Sequence, residues 1–272
     1  MTTGKTRLLG VLGYPIEHSL SPLLASYAIA SLGLDAAYLA FPVTAGRARA
    51  ALAALRELNF IGANVTMPLK EEVIELLDEV SPEALRLRSV NTIVNRNGAL
   101  HGYSTDGEGL VLALRGLCGV EPSGLLVAVI GTGSASRAVA ASLAAAGARV
   151  SIHGRNAARV RAAATVTGTE EGSGSRIAEA ALVVNATSVG MAGGPDPEGI
   201  PVDLGLLHPG QHLYDLVYNP VETPLIKAAR SKGLSVHDGR SMLAGQAARA
   251  FSLFFGREPP LDGMLAAISP VA

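Results

Sequence analysis

At 272 residues, with 49% hydrophobic and 17% charged side chains, the chain has the apolar material for a substantial core and too little charge for a disordered protein. Its formal net charge of −1 argues against a general nucleic-acid binder, and its single cysteine, Cys118, excludes an internal disulfide framework and any cysteine-built zinc site. No apolar run reaches the roughly 18 residues of a membrane span and no signal-peptide pattern is seen, so a soluble cytoplasmic protein with no membrane or nucleic-acid partner is expected.

Apolar runs alternate with helical patterns throughout, which predicts an α/β protein. Strands are expected at 7–13, 36–43 and 60–66. Pro22 opens a helix running to near Gly33, with Ser21 placed to cap it, and an Ala- and Arg-rich helix ends near Leu58. Pro68 is expected at the first position of a helix over 68–80. Residues 90–106 read as a hairpin that turns at Asn97-Gly98. A helix from Glu108 leads to a Pro-Ser-Gly break at 122–124, and Cys118 within this stretch reads as a small core residue. A strand at 125–130, a glycine loop, an Ala-rich helix over 135–146 and a strand at 149–154 then form one βαβ unit. Further strands are expected at 181–187, 212–218 and 234–239. The polar, Gly-rich stretch 167–176 reads as a surface loop. The helix over 242–256 is apolar on more than one face and suits a place between domains.

The stretch VAVIGTGSASRAV (127–139) is close to the G-x-G-x-x-G fingerprint of a dinucleotide-binding turn. Gly131 supplies the tight turn and Gly133 the bare backbone, so that a helix N-terminus can meet a pyrophosphate. Ser136 stands where the third glycine serves helix–strand packing, and serine is small enough to do much of that. An NAD site would carry an acid near the end of the second strand to bind the ribose hydroxyl. Here that strand runs into HGRNAARVR, with Arg155, Arg159 and Arg161 and no acid before Glu170. A guanidinium binds a 2′-phosphate that an acid would repel, so the loop points to NADP(H).

Four segments of the first half hold polar groups that a strand or helix does not need. Ser19 and Ser21, two apart at a strand-to-helix junction, could face one anion, although capping explains Ser21. Asn64 and Thr66 end a strand. Lys70 then falls in the first turn of the expected helix, where the positive end of the dipole should lower its pKa. Asn91 begins a strand, and Asp106 precedes a glycine at a helix start. Together they fit a small polyhydroxylated acid held at the carboxyl ends of strands, with one ammonium and one carboxylate to manage a proton.

With those residues quoted, the chain resembles the shikimate dehydrogenase family over nearly its full length. The resemblance rests on SLSP (19–22), NVTMPLK (64–70), SVNT (89–92), STDG (104–107), GTGSASRA (131–138), NATSVGM (185–191), DLVYNPVETPL (215–225) and GRSMLAGQAA (239–248). It implies an N-terminal α/β substrate-binding and catalytic domain (1–107), a Rossmann-type NADP-binding domain (108–238) and a C-terminal helical segment (239–272) that returns to the first domain. It also implies reversible reduction of 3-dehydroshikimate by NADPH in the biosynthesis of chorismate and the aromatic amino acids.

Carried over by motif, Lys70 and Asp106 form the catalytic pair. Ser19 and Ser21, helped by Tyr218, take the substrate carboxylate, and Thr66, Asn91 and Gln246 the ring oxygens. Gly131, Thr132, Gly133, Ser134 and Ala135 cradle the pyrophosphate, while Arg155, Asn156 and Arg159 take the adenosine phosphate. Thr187 lies beneath the cofactor, and Leu216 and Gly239 border the nicotinamide. No metal is implied, and both monomer and homodimer stay open.

Several positions depart from the family pattern: Ser134 for a glycine, GRN for NRT, Ser104 for the asparagine of NTD, Arg88-Ser89 for Gly-Ala, and Arg240 for a leucine. They keep open a sister dehydrogenase acting on quinate or an amino-substituted ring. A non-catalytic NADPH-binding regulator is the further alternative, against which the retention of Lys70 and Asp106 argues.

Overall fold

The computed structural model describes residues 2–269. It divides into two compact units: the residues up to Thr105 together with those from Gln246, and Asp106–Gly245.

The first unit carries β1 (Arg7–Gly13), α1 (Ser21–Ser31), β2 (Ala36–Pro42), α2 (Ala48–Glu57), β3 (Gly62–Val65), β4 (Glu79–Val80), α3 (Pro82–Leu87), β5 (Thr92–Arg96) and β6 (Ala99–Tyr103). They form a mixed six-stranded sheet in the order β2-β1-β3-β5-β6-β4. β1 runs parallel to β2 and β3, while β5 is antiparallel to both β3 and β6. The β5–β6 hairpin turns at Asn97 and Gly98, both with positive φ (56° and 92°), as a two-residue primed turn requires. Leu12, Leu52, Leu55, Phe60, Val65 and Ile93 belong to the core beneath this sheet.

The second unit adds α4 (Asp106–Gly116), β7 (Leu126–Ile130), α5 (Ser134–Ala145), β8 (Arg149–His153), α6 (Ala157–Thr167), β9 (Glu170–Glu171), α7 (Gly174–Glu179), β10 (Leu182–Asn185), β11 (His212–Asp215), α8 (Pro224–Ser231) and β12 (Ser235–His237). Its six strands are all parallel, in the order β12-β11-β10-β7-β8-β9. Counted from β7, that is the doubly wound 3-2-1-4-5-6 arrangement of dinucleotide-binding domains, with its switch point between β7 and β10. Both faces of such a sheet are covered, which is why LVAVI and the LVV of β10 read as unbroken apolar runs. α9 (Gly239–Phe255) begins in this unit and ends in the first, to which α10 (Leu261–Ala267) also belongs. Phe254 of α9 lies against Gly62 of β3, and α10 packs on α1.

Three local expectations are corrected. The 68–80 segment is not a helix: it runs through turns, with one 3₁₀ turn at Ile74–Leu76, into β4. Its backbone and side chains are spent elsewhere. The Lys70 carbonyl accepts from Val90 N (3.1 Å), and the Glu72 carboxylate accepts from Gly46 N and Ala48 N at the start of α2. Ser21 does not cap α1; the N-cap is Leu20, without a side-chain bond, and Ser21 is the first helical residue. The 167–176 stretch is not wholly loop, because Glu170–Glu171 pairs with β8 and α7 starts at Gly174. The helices α3, α8 and α10 were also not anticipated from the sequence.

Candidate active site

In the first unit the polar residues gather at the carboxyl ends of β1 and β3. Parallel pairing brings the ends of these strands side by side, and Thr66, the residue after β3, donates its amide to the Leu12 carbonyl (2.9 Å). The antiparallel β5 starts where β3 ends, so Val65 N donates to the Asn91 carbonyl at 2.8 Å. Lys70, half-buried, is tied to the same edge through Val90. With the 68–80 helix absent, the helix N-terminus expected at Lys70 is absent too. The loop after β1 brings Ser19 and Ser21 together: Ser21 N donates to Ser19 Oγ (3.3 Å), and both hydroxyls stand at the start of α1.

Behind these groups lies a buried hydrogen-bond chain. Asn91, 2% exposed, presents its Oδ1 to Thr105 N (2.7 Å), Thr105 Oγ1 (3.1 Å) and Thr92 Oγ1 (3.2 Å). Asn64 Nδ2 donates to the Asn91 carbonyl and to Thr92 Oγ1, and its Oδ1 accepts from the Tyr38 hydroxyl at 2.8 Å. Burial raises the pKa of the Tyr38 phenol and so keeps its proton in place, with the neighbouring Ser21 side chain opposing that shift. Tyr38 and Thr105 were not singled out from the sequence. A tyrosine in an otherwise apolar strand carried no signal of its own, whereas Thr105 sat inside a quoted motif. Gln246 is half-buried on the part of α9 that belongs to this unit.

In the second unit the glycine loop lies at the switch point. Gly131 holds φ +127°, a conformation that side-chain-bearing residues rarely adopt, and donates its amide to the His153 carbonyl (2.8 Å). Ser136, fully buried, donates its hydroxyl to the Gly131 carbonyl at 2.5 Å. The residue in place of the third glycine therefore pins the helix to the loop as well as packing there. Gly133 is the N-cap of α5, with no atom within 4 Å of where a Cβ would stand. The amides of Ser134 and Ala135 open a twelve-residue helix there.

Arg155, Asn156 and Arg159 are exposed beyond β8, next to this loop; a methyl group on Gly154 would meet Thr132 Cγ2 at 3.1 Å. Asn156 caps α6, its Oδ1 accepting from Arg159 N (3.0 Å). Of the three arginines, Arg161 is paired with Glu171 on β9 (3.1 Å), which leaves Arg155 and Arg159 as the cations facing solvent.

Two more strand-end turns lie at the same end of this parallel sheet. A methyl group on Gly131 would stand 3.0 Å from the Ala186 carbonyl and 3.3 Å from Thr187 Cγ2, so the turn after β10 adjoins the glycine loop. After β11, Leu216 and Val217 pass so close to Gly239 that any Cβ there would collide with the Leu216 carbonyl. Tyr218 follows on the same turn, and burial raises its hydroxyl pKa. Asn185, Asp215 and Thr223, all fully buried, join these turns; Asn185 closes the apolar run Leu182–Val184, a signal that sequence reading passed over.

The departures from the family pattern have distinct surroundings. Arg240 makes a two-pronged ion pair with Asp238, both contacts at 2.9 Å. Ser89 and Ser104 bury hydroxyl oxygens without a hydrogen-bond partner. Cys118 is half-buried against the second unit's core, as expected of a small packing residue. Among the described residues no group of three His, Cys, Asp or Glu side chains could hold a metal ion, and no helix is long and apolar enough to cross a membrane.

Comparison with known proteins gives a consistent result. Residues 11–93 match the family model described as the shikimate dehydrogenase substrate binding domain, and residues 239–268 that of the shikimate 5′-dehydrogenase C-terminal domain. A relative from Symbiobacterium thermophilum named shikimate dehydrogenase (NADP(+)) is 43% identical over 277 residues, covering 96% of this chain and 93% of its own. The crystal structure of shikimate 5-dehydrogenase from Thermus thermophilus, in complex with NADP(H) and shikimate, superposes with a TM-score of 0.90 at 39% identity, covering 96% of this chain and 98% of that one. Quinate dehydrogenase from Corynebacterium glutamicum, in complex with NAD, superposes with a TM-score of 0.82 at 33% identity over 96% and 98% of the two chains. The chain belongs to the shikimate dehydrogenase family.

Proposed function

We propose that this chain catalyses the reversible reduction of 3-dehydroshikimate to shikimate with NADPH. The observation that carries the reading is the gathering of Ser19, Ser21, Thr66, Lys70 and Asn91 at the carboxyl ends of β1 and β3, on a chain of this family. Two hydroxyls and an ammonium suit a carboxylate and a carbonyl oxygen, and an amide with a threonine suits ring hydroxyls. Ser19 and Ser21 hold the carboxylate with Tyr218, while Thr66, Asn91 and Gln246 bind the ring oxygens.

The second unit suits NADP(H) by its own features. The space over Gly133 is open, the loop meets a helix N-terminus, and β8 ends in exposed arginines rather than an acid. Residues 131–135 take the pyrophosphate, Arg155, Asn156 and Arg159 the adenosine phosphate, and Thr187, Leu216 and Gly239 the nicotinamide end. Bound NADPH supplies the hydride that adds to the ketone carbon. Lys70 delivers the proton that the carbonyl oxygen gains as its double bond opens, and is reprotonated from water; Asp106 orients the lysine and the substrate. In the oxidising direction Lys70 takes that proton back. The same reading makes the protein a cytoplasmic enzyme of aromatic amino-acid biosynthesis, monomeric or homodimeric.

A second reading, turnover of quinate, draws on Ser104, whose hydroxyl is buried without a partner two residues before Asp106. The test of both follows absorbance at 340 nm with shikimate or quinate, each with NADP or NAD. Reduction of NADP with shikimate alone is the expected result. Faster turnover of quinate, or of NAD, moves the protein to the sister activity. No turnover by any pair, with NADPH still bound, leaves a nucleotide-binding regulator.

A further inference from the structure

The buried polar residues that the nucleotide reading leaves over meet at a single carboxylate. Asp215 ends β11 with none of its surface exposed. Its Oδ1 accepts from Asn185 Nδ2 (2.8 Å) and from Val217 N (3.1 Å), and its Oδ2 from Thr223 Oγ1 (2.7 Å). Asn185, at the end of the adjoining strand, turns its own Oδ1 to the amide and hydroxyl of Thr187 (3.0 and 2.7 Å). The Thr187 hydroxyl also accepts from Val189 N (3.2 Å), and the Val217 carbonyl accepts from Gly239 N (3.2 Å). The turn after β10 and the turn after β11, both adjoining the glycine loop's end of the sheet, thus hang from one group.

Stability alone does not account for a carboxylate in that place. Moving it out of water costs several kcal/mol, at least part of which its donors must return. Burial accordingly pushes its pKa up while the three donors pull it down. An apolar residue of similar size would fill the space without that penalty. What it could not do is accept three hydrogen bonds and so fix two turns at once.

We propose that Asp215 is a positioning residue of the cofactor site, fixing Thr187 through Asn185 and the Leu216–Val217 backbone through Val217 N, where these turns border the nicotinamide end. The proposal rests on the reading above that NADP(H) occupies this unit. Asp215 touches neither cofactor nor substrate; it acts through the turns it holds.

The test measures NADPH affinity by its fluorescence and shikimate affinity by calorimetry on the full chain. Asp215→Leu removes every acceptor; leaving the donors of both turns unsatisfied should weaken NADPH by about 20-fold, with shikimate within about twofold. Asp215→Asn keeps one oxygen for Asn185 and Val217 N and offers its amide to Thr223 Oγ1, so NADPH affinity should stay within about threefold of wild type. Should the leucine variant not fold, Asn185→Ala, which cuts only the Thr187 arm, should weaken NADPH by about fivefold. Unaltered NADPH affinity in a folded leucine or alanine variant overturns the proposal. So do equal losses for both ligands, which mark a general loosening of the fold, and an asparagine variant as weak as the leucine one. Wild-type protein that ignores NADPH overturns the cofactor reading itself, an outcome separate from unaltered variants of a protein that binds it.

Discussion

The two units build their candidate sites from different parts of the chain. In the first, the chemistry lies in side chains: Ser19, Ser21, Thr66, Lys70 and Asn91, backed by Tyr38, Asn64 and Thr105 in a buried hydrogen-bond chain. The mixed sheet serves this by starting one antiparallel strand where two parallel ones end. In the second, the chemistry lies in backbone: a positive-φ glycine turn, a helix N-terminus and two strand-end turns, with Ser136, Asn185 and Asp215 holding them from below. A site of side chains fails when one functional group is lost. A site of backbone fails when something fills its space or lets its turns drift.

The contrast is tested most severely at Lys70. Removing the proton donor in Lys70→Ala should lower kcat by about a thousandfold while leaving NADPH affinity unchanged, because general acid–base groups contribute about 10²–10⁴ in rate. Loss of NADPH binding in that variant would show that the first unit's side chains serve the second unit's site, and the separation between the two would fail.

Acid should separate the units in the other direction. His153 ends β8, its backbone carbonyl bonded to Gly131 N, and burial lowers its pKa to about 4. In the unfolded chain it titrates near its ordinary value of about 6.5. The folded state therefore binds fewer protons between those limits, so its contribution is present above about pH 6.5 and is lost as pH falls toward about 4, up to about 3 kcal/mol. Hydrogen exchange should rise in β7 and β8 over that range before it rises in β1 and β3. His153→Gln should flatten the slope; an unchanged slope removes His153 as its source.

Much of this was legible in the sequence, for reasons the two units make plain. Unbroken apolar strands and a glycine turn announce a parallel doubly wound sheet, because such strands are buried on both faces. The 68–80 segment misled because its apolar spacing suits a helix, while its hydrogen-bonding partners, Val90 and the start of α2, are distant in sequence. Local pattern cannot see a carbonyl claimed by another strand. Ser21 misled for a related reason: a serine before Pro22 looks like a cap, yet it is already the first helical residue, and it lines a small cavity with Tyr38 of β2, a partner distant in sequence. Short elements such as β9 and α7 were hidden in polar sequence, since what stabilises them is pairing with β8 and packing on β7 rather than periodicity. Asp215 was hidden in a quoted motif, where only the fold reveals that it is buried and three times bonded.

Gly133→Ala tests the backbone half of the comparison more gently. The position has ordinary φ (−77°) and nothing within 4 Å of the added methyl, so the fold and the shikimate affinity should be unchanged. A methyl in the path of the pyrophosphate should nonetheless weaken NADPH by about tenfold. Wild-type affinity there would mean that the cofactor does not approach α5 closely, and the space over Gly133 would lose its meaning.

The smallest test makes one substitution in each unit and expects opposite signs. Ser89 and Ser136 are both fully buried serines. The Ser89 hydroxyl has no partner, whereas that of Ser136 donates to the Gly131 carbonyl. Burying a hydroxyl without a hydrogen bond is costly, so Ser89→Ala, which places the family's usual alanine there, should stabilise the chain by about 1 kcal/mol and raise Tm by about 2–4 °C. Ser136→Ala leaves the Gly131 carbonyl short of a donor and should cost about 1 kcal/mol, with a loss of NADPH affinity as the glycine turn loosens. If both variants gain stability, the Ser136 bond contributes nothing and the third glycine's replacement is a matter of size alone. If both lose it, Ser89 has a role in the first unit that its surroundings do not display, and the departure from Gly-Ala at 88–89 would become the place to look for altered substrate preference.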